Sequence, residues 1–314
     1  QAVALVPVLG GYLWWKRREW PAGWAALATP LATLASWQLF ERVTSGAAPA
    51  GVLAGYFESY GFQAISSKLQ NAVALTAHAG WLVFPALALA AFRRAPRGLW
   101  VAAVAASAVA GAMLDAHPLF WASFGVGLVV VLGSALTLAR QGDGERRFLA
   151  WWMVVFFGAA LGLFFAGSAR YLLPVAAPVA LLVTRELADR RGWLAAGIAL
   201  QMAVWMPAAV MNYQHWDAYR EFVRELRGEF GERRVWVNAE WGLRFYAEAE
   251  GALPLLRSQP VEPGEMVLAS RIAYPATFTT GGGRLVPVAR REVRPAVPVR
   301  LIGLDARSGN STVT

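Results

Sequence analysis

The sequence contains no cysteine, and only 16% of its 314 residues are charged. Without cysteine the chain has no disulfide, no thiolate metal site and no cysteine nucleophile. The hydrophobic share is 57%, which is too apolar for a protein whose whole surface faces water. The composition therefore predicts a membrane protein.

The common motifs of soluble enzymes are also missing: the phosphate-binding loop, the GxSxG nucleophile elbow and the HExxH zinc motif. The three histidines, His78, His117 and His215, lie far apart in the sequence. Asp115 and His117 are metal-ligand types, but two candidate ligands in one turn are too few for a convincing site. We therefore predict neither a metal nor a cofactor.

The net charge of +9 does not indicate a nucleic-acid partner, because the basic residues lie in short clusters between apolar runs. Twelve of them occupy four of the connecting segments, 16–18, 93–97, 140–147 and 185–191. The connections that alternate with these segments hold only Arg42, Lys68 and Arg170. This alternation is typical of a protein that crosses a membrane repeatedly.

Eight apolar runs approach the length of about 20 residues that a helix needs to cross the bilayer core. They predict a polytopic α-helical domain over residues 1–211 with spans at 2–15, 22–40, 71–92, 98–114, 118–139, 148–166, 171–184 and 192–211. Because Lys and Arg mark the cytoplasmic side, the loop 41–70 and the tail 212–314 are expected outside. We accordingly predict a multi-pass membrane protein whose tail lies outside the cytoplasm.

The tail 212–314 holds 12 of the 20 acidic residues and no run that could span. It predicts a small extracytoplasmic α/β domain with an amphipathic helix at 215–230 and a short helix at 241–250 capped by Asn238. Strands are expected at 233–238, 265–270, 284–289 and 298–303. The last ten residues contain no closing element, and the chain begins in an apolar run at Gln1, so we interpret it as a piece of a longer protein.

His78 is the one ionisable side chain inside a predicted span, about 10 Å below the outer surface at 1.5 Å per residue. An ionisable group at this depth is a candidate for function. The alternative is a neutral imidazole bonded to a backbone carbonyl or to a buried amide such as Gln201.

Other polar side chains are expected at the outer membrane face. Glu58, Tyr60 and Lys68 lie in the loop 41–70, and Arg170 and Tyr171 begin the seventh span. An arginine at the headgroup level can hold a lipid phosphate through two parallel hydrogen bonds. The alternative role of Arg170 is that of a snorkelling anchor for its helix.

Two short motifs resemble those of a known family: the arginine, tyrosine and proline at Arg170, Tyr171 and Pro174, and the run Glu240–Trp241–Gly242 in the tail. Together with the arrangement of spans, they resemble the C-terminal half of bacterial C-type glycosyltransferases. These enzymes are relatives of the protein mannosyltransferases and of the aminoarabinose transferase of lipid A.

The resemblance implies inverting transfer of a sugar from a polyprenyl-phosphate donor to a lipid, protein or glycan acceptor at the outer membrane face. It also implies a catalytic carboxylate in an outer loop upstream of this chain, so the catalytic residue is unknown here. Arg170 and then Lys68 are the candidate cations for the departing phosphate. Glu58 is the only acidic residue of the loop 41–70 away from its membrane entry, and we do not assign it as the base.

Two other classes of function remain open on the sequence. A transporter or flippase of lipid-linked saccharide would carry polar residues in several spans and an internal repeat. A non-catalytic membrane anchor would display the tail to a partner, although eight spans exceed what an anchor needs.

Overall fold

The computed structural model describes most of the chain, in segments separated by short gaps. The described residues are 2–46, 48–51, 65–88, 95–113, 118–140, 143–164, 167–230, 232–239, 242–256, 258–270, 276–292, 294 and 296. The chain divides into two compact units, Gln1–Gln201 and Met202–Thr314. The predicted boundary between a membrane domain and an outer domain, at 211/212, stays a prediction.

The first unit is built from helices. They are α1 (Leu5–Lys16), α2 (Pro21–Ala26), α3 (Ala28–Ser45), α4 (Ile65–Trp81), α5 (Arg97–Met113), α6 (Pro118–Ala139), α7 (Gly144–Leu163) and α8 (Leu173–Glu186). A 3-10 helix, Ala169–Leu172, leads into α8, and α9 (Arg191–Glu225) continues into the second unit.

Three of the described helices, α6, α7 and α9, are long and apolar enough to cross a membrane, and α5 is a shorter apolar helix. The limits of α6 coincide with the predicted span 118–139. The prediction of a mainly helical chain, with some helices long and apolar enough to span a membrane and a small sheet region, is thus confirmed in this coarse form. The number of eight spans and their orientation stay predictions.

The predicted span 22–40 is two helices, α2 and α3, with Leu27 between them. Pro30 explains the interruption, because in one continuous helix its ring would meet the carbonyl group of Ala26 four residues earlier. α3 then continues past the predicted span to Ser45, into the loop that was expected to begin at residue 41.

The predicted span 71–92 is also shifted. α4 begins at Ile65, within the predicted outer loop, and ends at Trp81. Pro85 accounts for the end, because it lacks an N–H group and its ring would clash with the carbonyl group of Trp81 in a longer helix. Residues 82–87 follow in turns.

α4 and α6 pack at unusually short distance through small residues. A Cβ atom at Gly80 would lie 1.9 Å from the backbone oxygen of Ser123, and one at Gly127 would lie 1.8 Å from that of Thr76. Each helix thus contributes a pair of small residues four positions apart, Thr76 with Gly80 and Ser123 with Gly127. This spacing allows backbones to approach closely in membrane helix pairs.

α9 unites two elements that were predicted separately, the span 192–211 and the amphipathic helix from His215. The residues that join them contain no helix breaker, and Trp216 donates from Nε1 to the Asn212 side chain one turn earlier, at 3.0 Å. The short helix α10 (Arg227–Phe230) follows. The separate start at His215 is therefore wrong, and the predicted helix 215–230 is divided at Leu226 between α9 and α10, the second of which ends at the predicted limit, Phe230.

In its described part, the second unit contains two small parallel sheets and one further helix. Its elements are β1 (Val235–Asn238), α11 (Gly242–Ala249), β2 (Leu253–Pro254), β3 (Gln259–Pro260), β4 (Met266–Ala269) and β5 (Phe278–Thr279). β1 lies between β2 and β4 and is parallel to both, while β3 pairs with β5. Buried Val235, Val237, Leu243 and Leu268 form its core together with Val223 of α9.

Two predictions for the tail are wrong. Residues 284–289, expected as a strand, are exposed and pair with no strand in the part of the chain that the structure describes, and Pro287 removes a backbone donor in the middle of the run. Asn238 does not cap the following helix, because its side chain donates to the Ala276 oxygen at 3.1 Å and accepts from the Ala276 N–H at 2.6 Å. The strand expected at 298–303 lies outside the described residues.

Candidate functional site

Lys68 lies at the end of α7 that is remote from Gly144. Its Nζ atom donates to the backbone oxygens of Leu161, Gly162 and Phe164 at 2.9, 3.2 and 3.0 Å. The last carbonyl groups of a helix have no partner within the helix, and a cation there also offsets the negative end of the helix dipole. All three ammonium donors are used in this contact, so the Lys68 side chain caps the C-terminal end of α7.

Phe164, the residue after α7, links this lysine to the candidate motif at 170–171. Its ring stacks on that of Tyr171, with 3.9 Å between centroids and an interplanar angle of 5°. Arg170 donates from Nη2 to the Tyr171 hydroxyl at 3.1 Å, and its guanidinium carbon lies 5.1 Å from the centre of that ring. Lys68, Tyr171 and Arg170 are therefore brought together, with Phe164 between them.

The turn before Arg170 is shaped by close packing on α4. A Cβ atom at Gly167 would lie 2.7 Å from the Ala74 side chain and 3.0 Å from the Asn71 oxygen, so only glycine fits without movement. Ser168 is extended and buried, and within the described part of the chain its hydroxyl has no hydrogen-bond partner. The 3-10 helix follows and leaves Arg170 exposed beside buried Tyr171.

Arg170 keeps most of its hydrogen-bonding capacity. Among the residues that the structure describes, no carboxylate forms a salt bridge with it, and its one side-chain bond goes to a phenol. A guanidinium group carries five N–H donors in a planar fork. Arg170 is thus an exposed cation, oriented by an aromatic ring, that can bind an anion through two parallel hydrogen bonds.

The remaining predicted site residues do not join this cluster in the described structure. His78 lies on the same helix as Lys68 but ten residues later, about 15 Å along the axis, and is buried. Gln201, its suggested partner, donates from Nε2 to the Leu82 oxygen at 3.0 Å. Glu58 and Tyr60 fall outside the described residues.

Asp115, His117, Glu240 and Trp241 also lie outside the described residues. Within the described segments, no group of three His, Cys, Asp or Glu side chains is placed to hold a metal ion.

Two contributors were missed on the sequence, Phe164 and Ser168. Phe164 was interpreted as part of an apolar span, and nothing in a single sequence relates it to an aromatic residue seven positions later. Ser168 follows Gly167, and this break in an apolar run is the one signal that marked the turn.

The opposite end of α7 carries a network of ion pairs. Arg185 of α8 contacts Asp143 at 3.0 Å and Glu145 at 2.8 Å, and Lys16 of α1 lies 4.0 Å from Glu145. Asp143 also caps α7 by accepting from the Glu145 N–H at 3.0 Å. Three of the segments with clustered arginine and lysine thus meet at one end of the helices, away from Arg170.

No family model, no curated protein and no solved structure matches this chain. The function is therefore inferred from the residues and their geometry.

Proposed function

We propose that this chain is the C-terminal part of a membrane glycosyltransferase that uses a polyprenyl-phosphate sugar. The sugar would pass to a lipid, protein or glycan acceptor at the outer face of the bacterial cytoplasmic membrane. The observation that carries the proposal is Arg170, an exposed guanidinium group oriented by Tyr171 and without a carboxylate partner in the described structure. The resemblance at Arg170, Tyr171 and Pro174 supports it.

We further propose eight spans, with the loop 41–70 and residues 212–314 outside. The two ends of α7 support this topology. The helix has 20 residues, which at 1.5 Å each gives about 30 Å, close to the thickness of the bilayer core. The ion pairs around Asp143 lie at one end and Arg170 near the other, as expected if the arginine-rich segments are cytoplasmic.

The chemistry of such a transfer is favoured by a cation beside the leaving phosphate, and this is the role that we propose for Arg170. The acceptor hydroxyl attacks the anomeric carbon, the bond from this carbon to the phosphate oxygen breaks, and polyprenyl phosphate leaves with the electron pair. A base takes the hydroxyl proton. Because the leaving group is already an anion, a fixed guanidinium group that stabilises its growing charge lowers the barrier. We assign no catalytic carboxylate within this chain.

Arg170 substitutions in the full-length protein test the proposal. Arg170→Lys keeps the charge but loses the planar fork, and Arg170→Ala loses both, so transfer should fall in two steps, with alanine the lower. Loss of a charge-assisted bidentate contact of about 3 kcal/mol corresponds to roughly 100-fold. Binding of polyprenyl phosphate to the purified protein should weaken in the same order.

Arg190→Ala provides a matched control, because Arg190 is also exposed and forms no ion pair within the described part of the chain but lies beyond the other end of α8. It should leave transfer and binding unchanged. Wild-type transfer by Arg170→Ala protein that is correctly inserted would overturn the assignment of Arg170.

A further inference from the structure

Residues 284–291 form an exposed basic and apolar stretch in the second unit, here called the arginine-flanked segment. It follows a turn in which the Gly283 N–H donates to the Thr280 oxygen at 2.8 Å and the Thr280 hydroxyl donates to the Gly283 oxygen at 2.8 Å. Gly281 and Gly282 have φ values of 56° and 89°, which glycine adopts without strain. From Arg284 to Glu292 the chain is in neither a helix nor a strand.

The middle of this segment is entirely apolar and entirely exposed. Its five residues are Leu285, Val286, Pro287, Val288 and Ala289, and the three largest side chains are 59%, 70% and 65% exposed at 285, 286 and 288. Single exposed apolar residues are common, but a run of this length in water is unfavourable unless something covers it.

Charge surrounds this apolar run on both sides. Arg284 precedes it, and Arg290 and Arg291 follow it directly. Arg291 contacts Glu225, whereas Arg284 and Arg290 form no ion pair with any described residue. The segment thus combines exposed apolar side chains with two arginines that have no ion-pair partner in the described structure. An anionic lipid surface can accommodate both, because its phosphates pair with arginine and its interior accepts apolar side chains.

A β-strand of a partner protein would fit this segment less well than a lipid surface. Strand addition relies on regularly spaced backbone donors, and Pro287 removes one in the middle of the segment. Apolar side chains also follow one another without alternation, so an added strand would leave half of them uncovered. A lipid headgroup layer needs neither feature, and the three helices that are long and apolar enough to cross a membrane would bring such a surface to every molecule.

We propose that the arginine-flanked segment binds the surface of an anionic lipid bilayer. Leu285, Val286 and Val288 enter the headgroup region, and Arg284 and Arg290 contact lipid phosphates. The backbone N–H and C=O groups of the segment have no hydrogen-bond partner among the described residues, and such groups are excluded from the hydrocarbon core, which keeps the segment at this level. This binding does not depend on the proposed transferase activity.

The absence of cysteine permits a direct test on the whole chain. Val286→Cys introduces the only thiol, and the variant is placed in lipid nanodiscs of neutral phosphatidylcholine or of phosphatidylcholine mixed with phosphatidylglycerol. The rate of reaction with a charged maleimide then reports whether position 286 is covered. Phe245→Cys is the matched control, since Phe245 is 69% exposed and its neighbour Arg244 is neutralised by Glu248 at 2.7 Å.

We expect the thiol at 286 to react at least about fivefold more slowly in the anionic nanodiscs, the effect of one arginine near an anionic surface. High salt and the added changes Arg284→Gln and Arg290→Gln should restore the rate, whereas the thiol at 245 should not respond. Equal rates at 286 in both lipids would overturn the proposal. So would protection in neutral nanodiscs that rises when two copies share a disc, which would identify a second chain as the occupant.

Discussion

The close contact between α4 and α6 requires glycine at positions 80 and 127, so the stability of the first unit should be sensitive to a larger side chain at Gly80 or Gly127. Gly80→Ala would place a methyl group 1.9 Å from the Ser123 oxygen, where Cβ atoms essentially never come closer than 3.0 Å. The helices must therefore separate by about 1.1 Å at this point, since the obstacle is backbone and cannot rotate away.

The energetic cost follows from the packing that this separation undoes. A gap of about 0.5–1 Å forfeits a quarter to a half of each dispersion contact, and overpacking costs about 1–3 kcal/mol or more. We expect about 3 kcal/mol for Gly80→Ala, which corresponds to a melting temperature lower by roughly 6–12 °C. Thermal unfolding of the purified chain in one detergent, followed by circular dichroism, measures this difference.

Gly158→Ala in α7 is the matched control, because a Cβ atom there meets nothing within 4 Å. It should leave the melting temperature unchanged or raise it, since alanine favours a helix over glycine by about 0.5–1 kcal/mol. The double variant Gly80→Ala/Gly127→Ala should cost less than the two single changes added, because both separate the same helices. Equal melting temperatures for Gly80→Ala and Gly158→Ala would refute the close contact.

Two further outcomes are expected. Lys68→Met keeps the apolar part of the side chain but leaves the last carbonyl groups of α7 without their donor. The expected loss of about 2 kcal/mol lowers the melting temperature by roughly 4–8 °C. An unchanged melting temperature would mean that water replaces the ammonium group. In the second unit, hydrogen bonds from the Trp236 indole and then from the Glu262 N–H lower the pKa of Glu265 below its usual range. A carboxyl group whose pKa is lower in the folded state than in the unfolded state stabilises the protein at a pH above its unfolded-state pKa of about 4.3. This stabilisation is lost as the pH falls through the pKa of the folded state. The stability difference between wild type and Glu265→Gln should therefore shrink on acidification below that pH, and a difference independent of pH would contradict the argument.

The sequence predicted best where a long apolar run has sharp limits. Pro118 begins α6, and the polar residues from Arg140 follow its end, so composition alone located this helix. Composition could not show that α4 begins at Ile65, because the helix includes polar residues that resemble a loop.

Contacts between residues that lie far apart in the sequence could not be predicted either. Lys68 meets carbonyl groups more than ninety positions away, and Asn238 pairs with Ala276 instead of the next helix. A lysine or asparagine side chain has many local alternatives, and only the packed structure decides among them. The residue types of the candidate site could thus be listed from the sequence, but the link through Phe164 could not.

Charged side chains from other helices contact both ends of α7: Lys68 of α4 at one end and Arg185 of α8 at the other. These contacts restrict how the helices of the first unit can move. A displacement of one residue along its axis is about 1.5 Å, enough to break the hydrogen bonds of Lys68 at one end or the contacts of Arg185 at the other. Sliding of α7 past α4 or α8 is thereby opposed. A movement of α7 relative to α4 or α8 would have to break these contacts, so α4, α7 and α8 are expected to move together.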